Sequence, residues 1–581
     1  MKSISYIEIL KENNRFAKML PSKKYTVQVL SNISNAQLNE ILEYTLRYED
    51  VPAIVMSGDY DNIIQNSIKY NKSNLVIIFW ELCNLLEGMQ YKVDLFNDTD
   101  FTSILEKVVS EVDLIFNSLA ETSCVLFNRF TGLHFANKAI NKTRLEDLAR
   151  QLNCYIDEHK PENVRTVDID KILFSVGLEK SINLRYFYSA RALYTVDYYK
   201  AYADYVKPII MSTTGKAKKA LIFDCDNTLW NGILGEDGFD KIEMSTDTTY
   251  GAIFSEIQSL ALSLFKQGVL LGLCTKNNPD DVEQVLFDHP DMIIRDQHLA
   301  IKKVNWNNKV SNLNEISQEL NIGLDSIVLV DDSLFEVNLI RNQLPEVKVL
   351  QVPEKLYEYP KMIRENMGLF YNRSATAEDK IRVSMYKQQA MRGSYKKQFE
   401  NLEDYLISLE MEMIVFNDDK KLIPRIAQMS QKTNQFNLTT KRYTEGDINR
   451  LVGDHNALVM AISITDKYGD SGVTGLCIVK IDRQKGVSEI DTFLLSCRII
   501  GRNIEFVFID TVVNRLKSEG VITIVAKYIK TNKNQQVMDF YDDCSFKFIS
   551  FDDSKRYYKL HISDYKPHDI NYIKVSYGKT D

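Results

Sequence analysis

Two carboxylates two residues apart, Asp224 and Asp226, follow the apolar run ALIF near the middle of the chain. If that run is a buried parallel strand, both acids emerge at its carboxyl edge, where open α/β sheets collect their ligands. Extended spacing sends both side chains to the same side. One can attack phosphorus as a nucleophile while the other exchanges a proton with the leaving oxygen. Carboxylates so close repel each other unless a cation sits between them, and Mg²⁺ accepts carboxylates, carbonyls and water.

Three further apolar runs carry what phosphoryl transfer still needs. Thr275, after VLLGLC, can donate to a phosphoryl oxygen, with Lys276 and Asn277 beside it. Lys309, in NWNNKVSNL, can neutralise the charge shared by the phosphoryl group and the nucleophile; Lys303 is a rival without a helix start behind it. Asp331 and Asp332, after SIVLV, complete a metal set with Asp224 and Asp226. A lone D-x-D is more often a turn or a helix cap. All four features in this order, each on its own strand or helix start, point instead to positioning and charge stabilisation of a phosphoryl group.

A second pattern lies near the C-terminus, where Ser496-Cys497-Arg498-Ile499-Ile500-Gly501-Arg502-Asn503 leads from EIDTFLLS into IEFVFIDTVVNRLKSEG. A loop of backbone N–H groups at a helix start, carrying arginines, suits an anion. Cys497, at that helix start beside Arg498 and Arg502, is a candidate thiolate and acyl acceptor. An ordinary strand–loop–helix corner and a buried filler thiol are the competing readings.

These residues need a scaffold, and the hydrophobic periodicity supplies one. Through the first 210 residues YTVQVL (25–30), VPAIVM (51–56), LVIIFW (75–80) and SCVLFN (123–128) alternate with runs of helical period, as in stacked βαβ units. A second alternating block carries the D-x-D site, and residues 372–410 read as a charged helical bridge. The last block is β-rich around 456–496, then helix (504–518), strand (521–528) and helix (534–543). The fold class expected is α/β in three domains: a doubly wound parallel-sheet domain (1–211), a Rossmann-like core (216–371) and an α+β domain (411–565). A linker (372–410) and a tail (566–581) complete the chain. NTLWNGILGEDG is expected to form a hairpin flap, and the intervals from Asp224 to Thr275 to Lys309 leave no room for a large cap domain.

Lys plus Arg number 71 against 79 Asp plus Glu in 581 residues, a net charge of −8, which gives no general attraction for nucleic acid or an anionic membrane. The eight cysteines form no C-x-x-C pair, which argues against a zinc site and a disulfide framework. MKSISYIEILKENNRF lacks the apolar core of a signal peptide, so a cytoplasmic location is expected.

The Asp224–Asp226, Thr275, Lys309, Asp331 series resembles the haloacid dehalogenase superfamily. That resemblance implies Asp224 as nucleophile, Asp226 as acid and base, Thr275 and Lys309 as phosphate ligands, and Asp331 on Mg²⁺ with Asp332 helping. The loop at 498–503 resembles the pyrophosphate loop of the GNAT acyltransferases. Arg498 and Gly501 fit that pattern, and Asn503 replaces its small last residue, which speaks against coenzyme A. Asn534 and Tyr541 stand where GNAT-like proteins carry such residues.

Together LIFDCDNTLWNGILGEDG, LCTKNN, LVDDSLFEVNLIRNQLPEV, QMSQKTNQFNLTTKRYT, DKYGDSGVTG and IDTFLLSCRIIGRN resemble the FkbH-like proteins over roughly 215–565. These join a haloacid dehalogenase phosphatase of subfamily IIIC to a GNAT-like domain, often behind an SGNH-hydrolase or flavodoxin-like domain. The resemblance implies dephosphorylation of 1,3-bisphosphoglycerate and loading of the glyceryl group as a thioester on the phosphopantetheine arm of an acyl carrier protein, in polyketide or antibiotic biosynthesis. The glyceryl group would rest on Cys497 or pass directly to the carrier thiol. Gln431, Asn434, Gln435, Asn437, Arg498, Gly501, Arg502, Asn534 and Tyr541 are the candidate acyl and pantetheine contacts. Two alternatives stand beside this: a phosphatase–acetyltransferase of surface-polysaccharide or sugar-phosphate synthesis, and a non-enzymatic carrier scaffold with an idle phosphatase fold. The N-terminal domain lacks a D-x-x-H to complete a hydrolase triad and reads as a docking domain.

Overall fold

The computed structural model describes residues 4–21, 24–86, 90–135, 142–371, 399–531, 533–552 and 554–578, with Gln388, Arg392 and Tyr395 between them. Most of the bridge expected at 372–410 therefore lies outside the described residues. The chain forms two compact units, Met1–Ile210 and Met211–Asp581. Among the described residues no helix is long and apolar enough to cross a membrane.

The first unit is built on five parallel strands: β1 (Tyr25–Ser31), β2 (Ala53–Ser57), β3 (Leu75–Phe79), β4 (Val125–Asn128) and β5 (Val164–Val167), in the order β2-β1-β3-β4-β5. Every residue of β3 is buried, as a central parallel strand requires. Strand order reverses between β1 and β3, which places a crevice beyond their carboxyl ends. The four expected strands are present. β5 was not expected, because VRTV is short and carries a charge at an edge.

The second unit holds two sheets. The first has parallel strands β6 (Ala220–Phe223), β7 (Leu270–Thr275), β8 (Leu299–Val304), β9 (Ile327–Asp331) and β10 (Lys348–Gln351), ordered β10-β9-β6-β7-β8. Alternation divides its core in two. Leu221, Phe223, Leu271 and Val330 pack with Phe254, Ile257 and Ala261 of the helix Thr249–Lys266. Ala220, Ile222, Leu270 and Leu329 pack with Leu313 and Ile316 of the helix Lys309–Glu319 and with Val337 and Ile340 of the helix Leu334–Gln343. Order reverses between β6 and β9, so the crevice beyond their carboxyl ends is the natural ligand site.

The expected hairpin flap differs. Residues 226–243 form isolated bridges and the short helix Leu234–Asp237 rather than a two-stranded ladder. Leu229, Trp230 and Leu234 are buried in the core, so the segment is anchored to the domain instead of standing over it.

The C-terminal sheet contains β11 (Met411–Asn417), β12 (Phe436–Asn437), β13 (Ala457–Asp466), β14 (Gly469–Asp482), β15 (Val487–Leu495), β16 (Thr523–Ile529), β17 (Lys547–Asp552), β18 (Lys555–His561) and β19 (Ile573–Tyr577). Its order is β17-β18-β16-β15-β14-β13-β11-β19, with β12 added on β15. The helix Ile504–Ser518 connects the parallel pair β15 and β16. The segment expected as a tail is not one. β19 pairs with β11 in parallel, and His568 Nδ1 lies 2.8 Å from Asp510 Oδ1.

Candidate active site

The carboxyl ends of β6 and β9 bring three predicted residues together. Asp224 leaves β6, Asp331 ends β9, and Asp332 follows it; one carboxylate oxygen of each lies within 4.8 Å of the others. Lys309, the first residue of its helix, reaches back under them with Nζ 3.1 Å from Asp224 Oδ1 and 2.6 Å from Asp331 Oδ2. Asn308 fixes that helix start, its Oδ1 accepting from the Val310 N–H at 2.9 Å. Asp331 is fully buried and also accepts from the Ser333 N–H at 3.0 Å.

One lysine faces three carboxylates, so the cluster carries an excess of negative charge in a poorly solvated place. Burial raises the Asp331 and Asp332 carboxyls above the usual range. Burial would lower Lys309, but Asp224 and Asp331 overrule it and hold the ammonium above the usual lysine range. A hard divalent cation relieves this excess, and converging carboxylate oxygens are its preferred donors. The residues fit Mg²⁺.

Asp226 stands apart from the cluster. Its Oδ1 accepts from Trp230 Nε1 and the Leu234 N–H, both at 3.0 Å, and its Oδ2 accepts from Asn277 Nδ2 at 2.9 Å. Three N–H donors on one carboxylate fix its side chain and leave it little freedom to ligate a metal, so it does not join the metal set expected from the sequence. Asn277 also lies 3.4 Å from Thr275 Oγ1, so it joins the acid to the buried threonine at the end of β7. Lys276 pairs with Glu336 at 2.6 Å instead of joining the cluster, and the rival Lys303 is bound to Glu315 and Glu319. Sequence reasoning noted Asn277 only as a neighbour and missed Trp230 and Glu336; the N-N-P string after β7 was the available signal.

No protein-family profile and no curated protein matches the chain. Among solved structures, the chain is similar to the N-terminal part of the protein BF1531 from Bacteroides fragilis, described as containing a phosphatase domain complexed with Mg. Identity is 23%, the match covers 64% of this chain and 100% of that one, and the TM-score is 0.55. That likeness is one of fold. Weaker matches include the ribosomal-protein-S18-alanine N-acetyltransferase of Escherichia coli, at 9% identity and TM-score 0.21, covering 26% of this chain and 94% of that one. Ard1 of Thermoplasma volcanium matches at 16% identity and TM-score 0.20, covering 26% and 97%.

The C-terminal candidates are placed differently from the phosphoryl site. β15 and β16 pair only from Val487 to Ile490 and then part. The opening is filled by the chain itself. β12 pairs with Leu494 and Leu495, the Leu438 N–H donates to the Phe493 carbonyl at 3.1 Å, and the Ile529 N–H donates to the Leu438 carbonyl at 2.8 Å. Asn534, fully buried, locks this insertion by donating to the carbonyls of Asn437 and Ile529, both at 2.9 Å. Asn437 turns inward, its Oδ1 accepting from the Thr440 N–H at 2.8 Å. Gln431 donates to the Tyr443 carbonyl at 3.1 Å, and Asn434 accepts from Arg442. The Gln435 Oε1 and the Tyr541 hydroxyl are buried and meet no partner among the described residues.

At the loop before the long helix, Arg502 is buried and pairs with Asp466 at 3.0 Å, an acid it shares with Arg392. Arg498 is buried, with Nε 3.2 Å from Ser496 Oγ. Gly501 and Asn503 adopt positive φ of 79° and 60°. Asn503 tolerates that conformation, and its Nδ2 donates to the Tyr572 hydroxyl at 2.7 Å. Cys497 begins a short 3₁₀ turn; its side chain lies outside the described parts of the chain.

Proposed function

We propose that the second unit is a magnesium-dependent phosphoryl-transfer enzyme whose nucleophile is Asp224. The Asp224–Lys309–Asp331–Asp332 cluster at the β6/β9 crevice carries this reading. The phosphatase domain complexed with Mg in the similar Bacteroides fragilis structure supports it. Asp224, Asp331 and Asp332 would hold the metal, which when bound supplies positive charge against the phosphoryl oxygens. Asp224 attacks phosphorus, Asp226 gives a proton to the leaving oxygen, and Thr275 and Lys309 hold the transferring oxygens. Asp226 then takes a proton from the water that hydrolyses the aspartyl phosphate.

The substrate we propose is an activated glycerate, 1,3-bisphosphoglycerate. A thiol takes its acyl carbon, expelling the 1-phosphate as inorganic phosphate, and Asp224 removes the 3-phosphate. The product is a glyceryl thioester on an acyl carrier protein, with Cys497 as an intermediate thiol or the carrier thiol acting directly. The motif strings that resemble FkbH-like proteins support this. Intact-mass measurement of a pantetheinylated carrier with the protein, 1,3-bisphosphoglycerate and Mg²⁺ tests it. A glyceryl adduct that becomes a phosphoglyceryl adduct with Asp224→Asn is expected. A carrier that gains no mass would refute the glyceryl assignment, while hydrolysis of a simple phosphate ester would still report the phosphatase half.

A further inference from the structure

The C-terminal sheet ends in an open strand. Among the described residues β17 pairs only with β18, and all six of its residues, Lys547-Phe548-Ile549-Ser550-Phe551-Asp552, are exposed. Phe548, Ile549 and Phe551 are 53%, 54% and 62% exposed. One apolar residue on a surface is ordinary. Three on an edge strand, beside a row of outward-facing backbone N–H and C=O groups, form a template for another strand.

The register decides which of these side chains share a face. Phe548 stands opposite Tyr558 and Phe551 opposite Arg556, with a bulge between Phe548 and Ser550 that absorbs Ile549. Tyr558 donates to Asp542 at 2.8 Å and Arg556 to Asp539 at 3.0 Å, so both lie on the face that carries the short helix Phe540–Asp543. The bulge therefore puts Phe548 and Phe551 together on that face, where the Phe548 ring meets Tyr558 edge-on at 5.9 Å. Lys547 and Asp552 fall on the other face, across from Lys559 and Lys555.

The strand is complementary to itself. Run antiparallel about a two-fold axis between Ile549 and Ser550, a second β17 sets Lys547 opposite the partner's Asp552, Phe548 opposite the partner's Phe551, and Ile549 opposite the partner's Ser550. In the charged pair and in the aromatic pair both members share a face, as direct cross-strand neighbours must. Lys547 gains most. It stands across from a like charge, Lys559, and its ion pair with Asp564 is long, at 3.6 Å, and exposed. The far edge of the sheet offers no such match, because β19 reads Ile-Lys-Val-Ser-Tyr and holds no acid for its own lysine.

We propose that β17 joins two copies of this chain antiparallel, continuing the C-terminal sheet across a two-fold axis. Six residues a side make a small interface, so a reversible dimer with Kd on the order of 10 μM is expected. Sedimentation velocity of the full chain from about 1 to about 200 μM should follow monomer passing into dimer. Lys547→Asp and Asp552→Lys each set like charges face to face at both ends, and each is expected to weaken the dimer about tenfold or more. An equimolar mixture of the two variants restores opposite charges at both ends and is expected to recover the parent affinity. Hydrolysis of an aryl phosphate reports that each variant is folded. Hydrogen exchange of the parent chain, which needs no variant, should show β17 amides gaining protection as concentration rises. A chain still monomeric at about 200 μM, a dimer that both variants leave intact, a mixture no tighter than its components, or protection gained only outside β17 would each overturn the proposal.

Discussion

Asn277 donates to Asp226 at 2.9 Å while lying 3.4 Å from Thr275. Asp226 and Thr275, to which the proposed function gives proton transfer and phosphate binding, are therefore held by one amide. Asn277→Ala is expected to slow hydrolysis of an alkyl phosphate about tenfold or more while sparing p-nitrophenyl phosphate, whose leaving group needs no proton. A merely structural role for Asn277 would slow both substrates alike, and comparing the two kcat values decides.

Lys309 neutralises carboxylates that are otherwise buried together. Lys309→Met removes the only cation among the described groups of the cluster, and breaking a buried pair of this kind costs about 3–5 kcal/mol. Thermal melting without metal should show that loss. Added Mg²⁺ should recover part of it, because the remaining oxygens still converge.

Metal affinity should be graded by burial. Asp331 is fully enclosed and Asp332 less so. Asp331→Asn is expected to abolish the rise of melting temperature with Mg²⁺, and Asp332→Asn to reduce it. Magnesium titrations of the two variants against the parent chain read this order.

In the first unit, burial pushes the Glu81 carboxyl up to about 7, whereas burial pushes His134 down to about 3. A carboxyl whose folded pKa is raised favours the folded state while protonated, so its contribution is lost as pH rises through about 7. From pH 5.5 to 8.5 that loss is about 2 kcal/mol. His134 acts oppositely, since its neutral folded form gains stability as pH rises toward its ordinary value. Glu81→Gln keeps an acceptor for Tyr194, and it should turn the small net fall of stability over this window into a rise of about 1 kcal/mol. Hydrogen exchange of the β3 amides across the pH series measures it.

Much of the two parallel sheets was legible because central strands are continuous apolar runs: ALIF, LLGLCT and IVLVD all became strands ending at the site. The edge strands LAIKKV, KVLQ and VRTV carry charges and were missed. Asp224, Asp331 and Lys309 could be picked because strand ends and a helix start expose them to one crevice. The separate station of Asp226 could not, since it depends on Trp230 and Asn277 arriving from different loops. In the C-terminal block the polar run around Asn437 looked like a binding surface. There Gln431 donates to the Tyr443 carbonyl, Asn434 accepts from Arg442, and Asn534 holds a two-residue strand inserted beside β15; nothing in local spacing reveals a pairing across so long a stretch of chain. β19 was read as tail for the same reason, because its partner β11 lies far back in the sequence.

The most direct test of phosphoryl transfer at Asp224 is fluorine NMR of the full chain with beryllofluoride, which adopts the shape of a phosphoryl group on a carboxylate. A bound resonance that requires Mg²⁺ and disappears in Asp224→Asn is predicted. A bound resonance that persists in Asp224→Asn, or one that never appears with Mg²⁺ present, would contradict the account.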